Sequence, residues 1–273
     1  MNVMINGSPV PVTAQSTKII EKYEIWAANP DTRGITGVVA LKTIVDSVLF
    51  QQWLDTIDPS FNVSKIVIKG VTMFGPRPGF LFIEADVTDA DGDRMPGAVF
   101  LRGDSVAILV ELVAPSGRYA VLTRQARFPS GKFLLEIPAG MMDGDGNFKG
   151  KALDELTEEV PALAGKFSAE AVTALSDEPI YMSPGGCNER IGYYHLVIEV
   201  DDETIVDLIG TEGGEGDHEK ITIAVAPWET LSEIPDAKLQ TALGMYQPVR
   251  IAKLEAELAL AKLNLELAGK DTP

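Results

Sequence analysis

Between Glu136 and Glu159 the chain reads E-I-P-A-G-M-M-D-G-D-G-N-F-K-G-K-A-L-D-E-L-T-E-E. No other stretch narrows the choice of folds as much. The spacing predicts a short apolar strand over 133–137, a break at Pro138-Ala139-Gly140, a Gly/Asp-rich loop over 143–150, and a helix from near Lys151. Glu155, Glu158 and Glu159 stand at i, i+3 and i+4, so they share one face of that helix. Like charges at this spacing destabilise an isolated helix. Either solvent screens them, as on any acidic surface, or a hard divalent cation with oxygen ligands offsets the repulsion. The strand, the break and the loop that precede the helix favour the cation.

The 273 residues suffice for one large or two modest domains with real cores. A net charge of −17 argues against binding a nucleic-acid backbone, which needs a basic surface. An anionic phosphate ligand must then be met by local cations: metal ions and a few arginines. Cys187 is the only cysteine, which excludes an intrachain disulfide and points to a reducing compartment. The first residues lack the basic start and apolar run of a signal peptide. No run of about 18 apolar residues exists, so no membrane span or membrane partner is expected. A cytoplasmic location is the expectation, with an organelle as the alternative.

In chain order, 45–57 reads as one amphipathic helix with an apolar stripe through Leu49, Phe50, Trp53 and Leu54. Lys65 to Lys69 alternates as a strand, 74–79 is Gly/Pro-rich and reads as a hinge, and 80–87 reads as a strand. The run D-A-D-G-D from Asp89 has calcium-loop spacing, but Gly92 and the missing distal glutamate fit a hairpin turn better. The nearly unbroken apolar run from Val106 to Val113 predicts a central strand. After the acidic helix, strands are expected over 169–175, 192–200 and 221–226. Two helices are expected over 236–247 and 249–268, parted by Pro248.

The acidic stretch resembles the box G-x5-E-x7-R-E-U-x-E-E-x-G-U of the Nudix hydrolases. Gly140 opens it, and Glu155, Leu156, Glu158 and Glu159 fill E-U-x-E-E. The first Glu position falls on Gly146 or Asn147, the Arg position holds Asp154, and the late Gly position holds Pro161. The resemblance implies a Nudix α/β/α sandwich with a mixed sheet, preceded by a smaller N-terminal α+β unit. The boundaries it suggests are 1–95 for that unit, 96–235 for the Nudix domain and 236–273 for C-terminal helices.

Downstream, Ser183-Pro184-Gly185-Gly186-Cys187-Asn188-Glu189 is similar to the S-P-G-G-x-x-E element of ADP-ribose and ADP-sugar pyrophosphatases. F-x-R-G-x-x-V-A-I-L from Phe100, V-L-T-x-Q-x-R-x-P-x-G-K from Val121, L-E-I-P-A-G-M from Leu135, S-x-L-F-Q-Q-W-L near residue 50 and K-G-V-T-M-F-G near residue 70 resemble the plant-type ADP-sugar diphosphatases. The implied reaction splits an ADP-sugar into AMP and a sugar phosphate. Mg²⁺ (or Mn²⁺) would be held by Glu155 and Glu159, with Glu158 assisting and the Ala139 carbonyl completing the site. Glu219 takes the place of a further catalytic carboxylate, with Asp217 in reserve; His218 between them reads as an exposed loop residue.

Arg127 is the first candidate to contact the diphosphate, because a guanidinium meets phosphate oxygens in pairs. Arg124 and Arg102 follow it. Glu136 either binds a ribose or pairs with an arginine. Ser183, Gly185 and Glu189 are implied on the substrate, and Phe74, Phe128 or Trp26 against the adenine. Cys187 has no histidine partner in the sequence nearby and reads as incidental. The resemblance also implies a homodimer through the N-terminal unit. Against an active enzyme stands a degenerate domain that binds the nucleotide sugar without turning it over, and Asp154, Gly146 and Pro161 are the departures that favour it.

Overall fold

A computed structural model describes residues 1–15, 19–20, 39–142, 147–214 and 220–270. The chain divides into two units. The first comprises Met1–Asp104, Met142–Gly146 and Ile180–Ile191; the second comprises Ser105–Met141, Asn147–Pro179 and Gly192–Pro273.

The first unit holds strands β1 (Asn2–Ile5), β2 (Ser8–Ala14), β3 (Ile19–Ile20) and β4 (Val39–Ala40), helices α1 (Leu41–Val45) and α2 (Val48–Asp55), and strands β5 (Asn62–Phe74), β6 (Arg77–Thr88) and β7 (Ala98–Leu101). Its main sheet has the order β1-β2-β5-β6-β7, antiparallel except for the parallel β2/β5 pair. Alternate residues such as Val10, Val12, Ile66, Ile68, Leu81 and Ile83 turn into a core closed by Leu41, Ile44 and Phe50 of the helices. The single helix expected over 45–57 is two. Ser47 interrupts it, because its Oγ donates to the Ile44 carbonyl at 2.6 Å and accepts from Phe50 N–H, which caps a new helix. The expected hinge at 74–79 is a hairpin turn. Phe74 pairs with Arg77, and Gly75 supplies a left-handed φ of 59°. The Asp89 turn is local: one oxygen of the Asp89 carboxylate accepts from Asp91 and Asp93 N–H and so caps the turn.

The second unit holds β8 (Ser105–Ala114), β9 (Gly117–Arg127), β10 (Lys132–Glu136), β11 (Ala139–Met141), α3 (Phe148–Glu159) and β12 (Thr173–Ala174). Then β13 (Ile180–Tyr181) pairs with the first residues of β14 (Arg190–Glu199), all of them within the first unit. Helix α4 (Asp202–Leu208), β15 (Glu212–Gly213), β16 (Ile221–Pro227) and α5 (Ala237–Lys270) complete the chain. The sheet order is β12-β14-β8-β9-β16-β15, with β10 on β9 and β11 on β8. The central-strand expectation for 106–113 holds: β8 is buried from Ser105 to Leu112. The strand expected over 169–175 shrinks to Thr173–Ala174, after a 3-10 turn at Ala169–Ala171 where the alanines lack β-branching.

The two C-terminal helices are one. Leu239, Ala242, Leu243 and Tyr246 are buried before Pro248, and Arg250 is tied down after it, so the helix continues at the cost of one hydrogen bond. What ties it down is Glu111, the lone charge within β8. Its buried carboxylate accepts from Tyr246 OH at 2.8 Å and from Arg118 Nε, and lies 3.2 Å from His195 Nε2 and 3.4 Å from Arg250 Nη1. Burial alone would raise the Glu111 pKa, but the His195, Arg118 and Tyr246 hydrogen bonds outweigh it and hold the group at about 2.

Candidate functional site

Strand β10 pairs with β9 so that Glu136 faces Thr123. The Glu136 side chain is buried and needs partners. Arg127 supplies a two-pronged contact, Nε at 2.8 Å and Nη2 at 2.9 Å, and Lys238 of α5 reaches the second oxygen at 2.5 Å. Burial pushes the Glu136 carboxyl up, yet Arg127 and Lys238 prevail and bring it to about 2. The same contact raises the Arg127 pKa. Of the two readings for Glu136, the ion pair is what the structure displays.

Pro138 ends β10, and β11 starts at once on the other neighbour, β8, with Ala139 opposite Ala107 and Gly140 opposite Val106. This switch carries the chain past α3. Asn147 caps that helix by accepting from Gly150 N–H at 3.0 Å, so one of the two residues that can align with the first glutamate of the box serves as an N-cap, and the other, Gly146, lies outside the described residues. The helix starts at Phe148, three residues before Lys151. It ends at Glu159, and Pro161, which cannot extend a helix, opens a 3-10 turn.

The three glutamates separate by burial. Glu159 is buried, Glu155 is largely covered, and Glu158 is exposed. Glu159 Oε2 accepts from the Ala139 N–H at 3.2 Å and Oε1 from Gln125 Nε2 at 3.0 Å. Glu155 lies against Gly140 so closely that a Cβ on that glycine would sit 1.8 Å from its carboxyl carbon. Lys151, one turn earlier, contacts Glu155 Oε1 at 2.9 Å. Burial first, then the neighbouring Glu155 charge, raise the Glu159 pKa to about 8, against the opposing pull of Ala139 N–H, Gln125 and Arg127. Both hydrogen-bond donors to Glu159 are neutral, whereas Glu155 is paired with Lys151.

Two carboxylates and the end of a strand fit a hard divalent cation in donor type. Among the described residues no group of three or more His, Cys, Asp or Glu side chains gathers as a metal site. Glu219, Asp217 and His218 lie outside the described residues, as does Trp26. The described residue just before that gap, Gly214, donates its N–H to the Glu158 carbonyl at 3.0 Å. A Cβ on the preceding Gly213 would come within 1.7 Å of the Glu159 carbonyl oxygen. Glycines at 213 and 214 thus let the chain lie directly on the end of α3.

The other expected residues fall elsewhere. Arg124 lies over the Phe133 ring at 4.4 Å, and Phe128 is 94% exposed. Ser183, Gly185 and Glu189 belong to the first unit with Arg102 and Phe74. There the loop is fastened to β7: Phe100 N–H donates to the Gly186 carbonyl at 2.7 Å, and Asn188 Oδ1 accepts from Arg102 and Gly103 N–H. Glu189 sits 3.3 Å from Arg102, and Ser183 closes the turn by accepting from Gly186 and Cys187 N–H. A Cβ on Gly185 would meet open space, and its φ is outside the left-handed region, so the turn itself does not demand a glycine. Phe74 packs edge-on against Phe80.

Four residues at the glutamates escape a reading of the sequence: Gln125, Lys151, Asp236 and Lys238. Asp236 carries a legible signal, an aspartate directly before a helix. Its carboxylate accepts from Lys238 and Leu239 N–H, and so aims Lys238 at Glu136.

No family model matches the chain. Among curated proteins it is 39% identical over 219 residues to "Nudix hydrolase 14, chloroplastic" of Arabidopsis thaliana, across 74% of this chain and 71% of that one. Among solved structures it superposes on one described as "Crystal structure of ADP compounds hydrolase" with a TM-score of 0.51 and 17% identity, covering 71% of this chain and 96% of the other. At that identity the second likeness speaks to the fold, which is mixed α/β as expected.

Proposed function

This chain belongs to the Nudix hydrolase family, and on that premise we propose that it hydrolyses the diphosphate bond of an ADP-sugar, ADP-glucose or ADP-ribose, to AMP and a sugar phosphate. The observation that carries the reading is the meeting of Glu155 and Glu159 at the Ala139-Gly140 strand end, where a Cβ on Gly140 would fill the space used by the Glu155 carboxyl. Glu155 and Glu159 are the residues to hold Mg²⁺ (or Mn²⁺), with Glu158, the Ala139 carbonyl and Glu219 as further ligands. Such an ion, when bound, lowers the pKa of a coordinated water and offsets charge on the diphosphate.

The chain's own residues do the rest. Gln125 and the Ala139 N–H fix the Glu159 carboxylate, and Lys151 fixes Glu155. Arg127, held in plane by Glu136, presents its guanidinium near Glu159 and is the residue to take the diphosphate. Ser183, Gly185 and Glu189 are proposed for the sugar. The likeness to an ADP compounds hydrolase supports adenine as the base. Among the described residues no helix is long and apolar enough to cross a membrane. The single cysteine supports a reducing compartment, the cytoplasm on our reading, although the plant relative is named chloroplastic. A homodimer through the N-terminal unit belongs to the same reading.

One observation favours a second reading, binding without turnover: Asp154 stands exposed where the box has arginine. Product analysis separates the two. The protein is incubated with Mg²⁺ and, in turn, ADP-glucose, ADP-ribose, UDP-glucose and NADH, with Glu159→Gln alongside. AMP from an ADP-sugar, lost in the variant, is the expected result. Calorimetric binding of ADP-ribose with no product from any substrate would replace hydrolysis by recognition alone.

A further inference from the structure

Two cations share the Glu136 carboxylate, and they present themselves differently. Arg127 lies side-on to it and engages Nε at 2.8 Å and one N–H of Nη2 at 2.9 Å. A guanidinium has five N–H donors; with two engaged, the pair on Nη1 and the second on Nη2 remain. Among the described residues Nη1 has no hydrogen-bond partner, and the Arg127 side chain is 40% exposed. The Nη1–Nη2 edge is left to meet two oxygens of one phosphate.

Geometry alone does not make that edge attractive to an anion. An arginine paired with one carboxylate is neutral as a unit and has little pull on a second negative group. The charges of Glu159 and Asp236 also act on Arg127. Lys238 changes the balance. Its Nζ lies 2.5 Å from the Glu136 oxygen that Arg127 Nη2 also contacts, on a side chain only 20% exposed. Two cations on one carboxylate leave one positive charge in excess. Asp236 does not cancel it. Its oxygens accept from Lys238 N–H at 3.2 Å and Leu239 N–H at 3.1 Å, where the N-terminal dipole of α5 offsets the aspartate. Its carboxylate stays 3.8 Å from Lys238 Nζ, beyond hydrogen-bond reach. Cap and cation stand two residues apart, so the turn that Asp236 fixes also fixes where the Lys238 side chain starts.

We propose that Lys238 is a positioning residue for the diphosphate. It keeps the Arg127–Glu136 pair positively charged, so that the outer edge of Arg127 takes an anionic phosphate, and it acts through Arg127 without touching the ligand. This rests on the reading of Arg127 given above. The alternative is a brace that only fastens α5 to β10.

The test reads the Kd for ADP-ribose by calorimetry on the full chain in EDTA, where nothing turns over. Arg127→Met is expected to weaken binding about 10- to 100-fold, the scale of hydrogen bonds to a charged group. Lys238→Met and Lys238→Gln are each expected to weaken it about 5- to 20-fold, the scale of one unit charge in a partly exposed site, and Lys238→Arg, which keeps the charge, by less than about threefold. In the Arg127→Met background, Lys238→Met should add less than about twofold, because the lysine has nothing left to act through. Lys238→Gln keeps a donor to Glu136 and so keeps the brace; it carries the test if the methionine variant does not fold. Wild-type affinity in Lys238→Gln, or a lower urea midpoint with an unmoved Kd, makes Lys238 a brace and overturns the proposal. Losses that add in the double variant overturn it as well, since they place Lys238 on the ligand itself. Normal binding by Arg127→Met is a different failure: it removes Arg127 from the diphosphate, and the proposal falls with that reading.

Discussion

Glu111 and Glu159 are both buried glutamates of the second unit, and they are treated in opposite ways. Around Glu111 the fold gathers Arg118, His195, Tyr246 and Arg250 from β9, β14 and α5, and the carboxyl sits at about 2. Around Glu159 it gathers two neutral donors, a second carboxylate and the more distant charge of Arg127, and burial with Glu155 prevails, so the group rises to about 8. A buried charge is costly unless paired. Pairing stabilises the charged form of Glu111, whereas Glu159 lacks an ion-pair partner of its own and would gain one from the cation proposed above. Glu136 lies with Glu111 in this respect, although it stands beside the crowded pair.

The contrast is sharpest in activity. Glu159→Gln is expected to cut AMP release by about 10²–10⁴-fold, since metal-borne charge stabilisation is worth several kcal/mol. Its midpoint in urea should stay level or rise. Full activity in this variant would break the comparison at its functional end. Glu111→Gln is expected to do the reverse: a loss of about 1–3 kcal/mol in denaturant unfolding, because a neutral amide cannot satisfy Arg118, His195 and Tyr246 around this buried position. The AMP rate per folded molecule should stay within about twofold.

Opposite shifts also give opposite pH dependences. Glu111 and Glu136 are depressed from 4.5 to about 2, so their contribution is present above 4.5 and is lost as pH falls towards 2. Glu159 is raised from 4.5 to about 8, so its protonated form favours the metal-free fold below 4.5, and that contribution is lost as pH rises towards 8. Thermal melts of the metal-free protein should therefore decline between pH 5 and 8 (on the order of the Glu159 shift itself), and Glu159→Gln should flatten the decline. Mg²⁺ should raise the melting temperature more at pH 8 than at pH 5 in the wild type, and equally little at both in the variant. The smallest effect is expected from Asp154→Arg. Lys151 and Gln125 already hold the two inward glutamates, and Asp154 is exposed, so turnover should change by less than about fivefold, the scale of a surface charge pair. A tenfold gain would mean that Glu155 and Glu159 are poorly held as they stand.

The order of elements near the acidic helix is legible in the sequence because each is local: an apolar run for β8, a proline for the end of β10, and a glutamate face on α3. Which glutamate turns inward is not, because three residues on one face are equivalent until β11 comes to rest against Glu155 and Glu159. Long-range partners are hidden for the same reason. Lys238 lies 102 residues from Glu136 and Arg250 lies 139 from Glu111. Yet a lone glutamate within the apolar run V-A-I-L-V-E-L-V is itself a demand for distant cations. The local rule that a proline ends a helix fails at Pro248, where packing before the proline and an ion pair after it outweigh the lost hydrogen bond. Helix α4 escapes notice although Asp201 caps it in the ordinary way, because seven residues carry too little periodicity to register.

The absence of a side chain at Gly140 has a consequence in the genetic code. Every base change in a glycine codon that alters the residue without stopping translation adds at least a Cβ, and here that atom would lie 1.8 Å from the Glu155 carboxyl carbon. Any replacement at 140 therefore makes the Glu155 carboxyl swing aside, so a single base change there disturbs the carboxylate without touching its own codon.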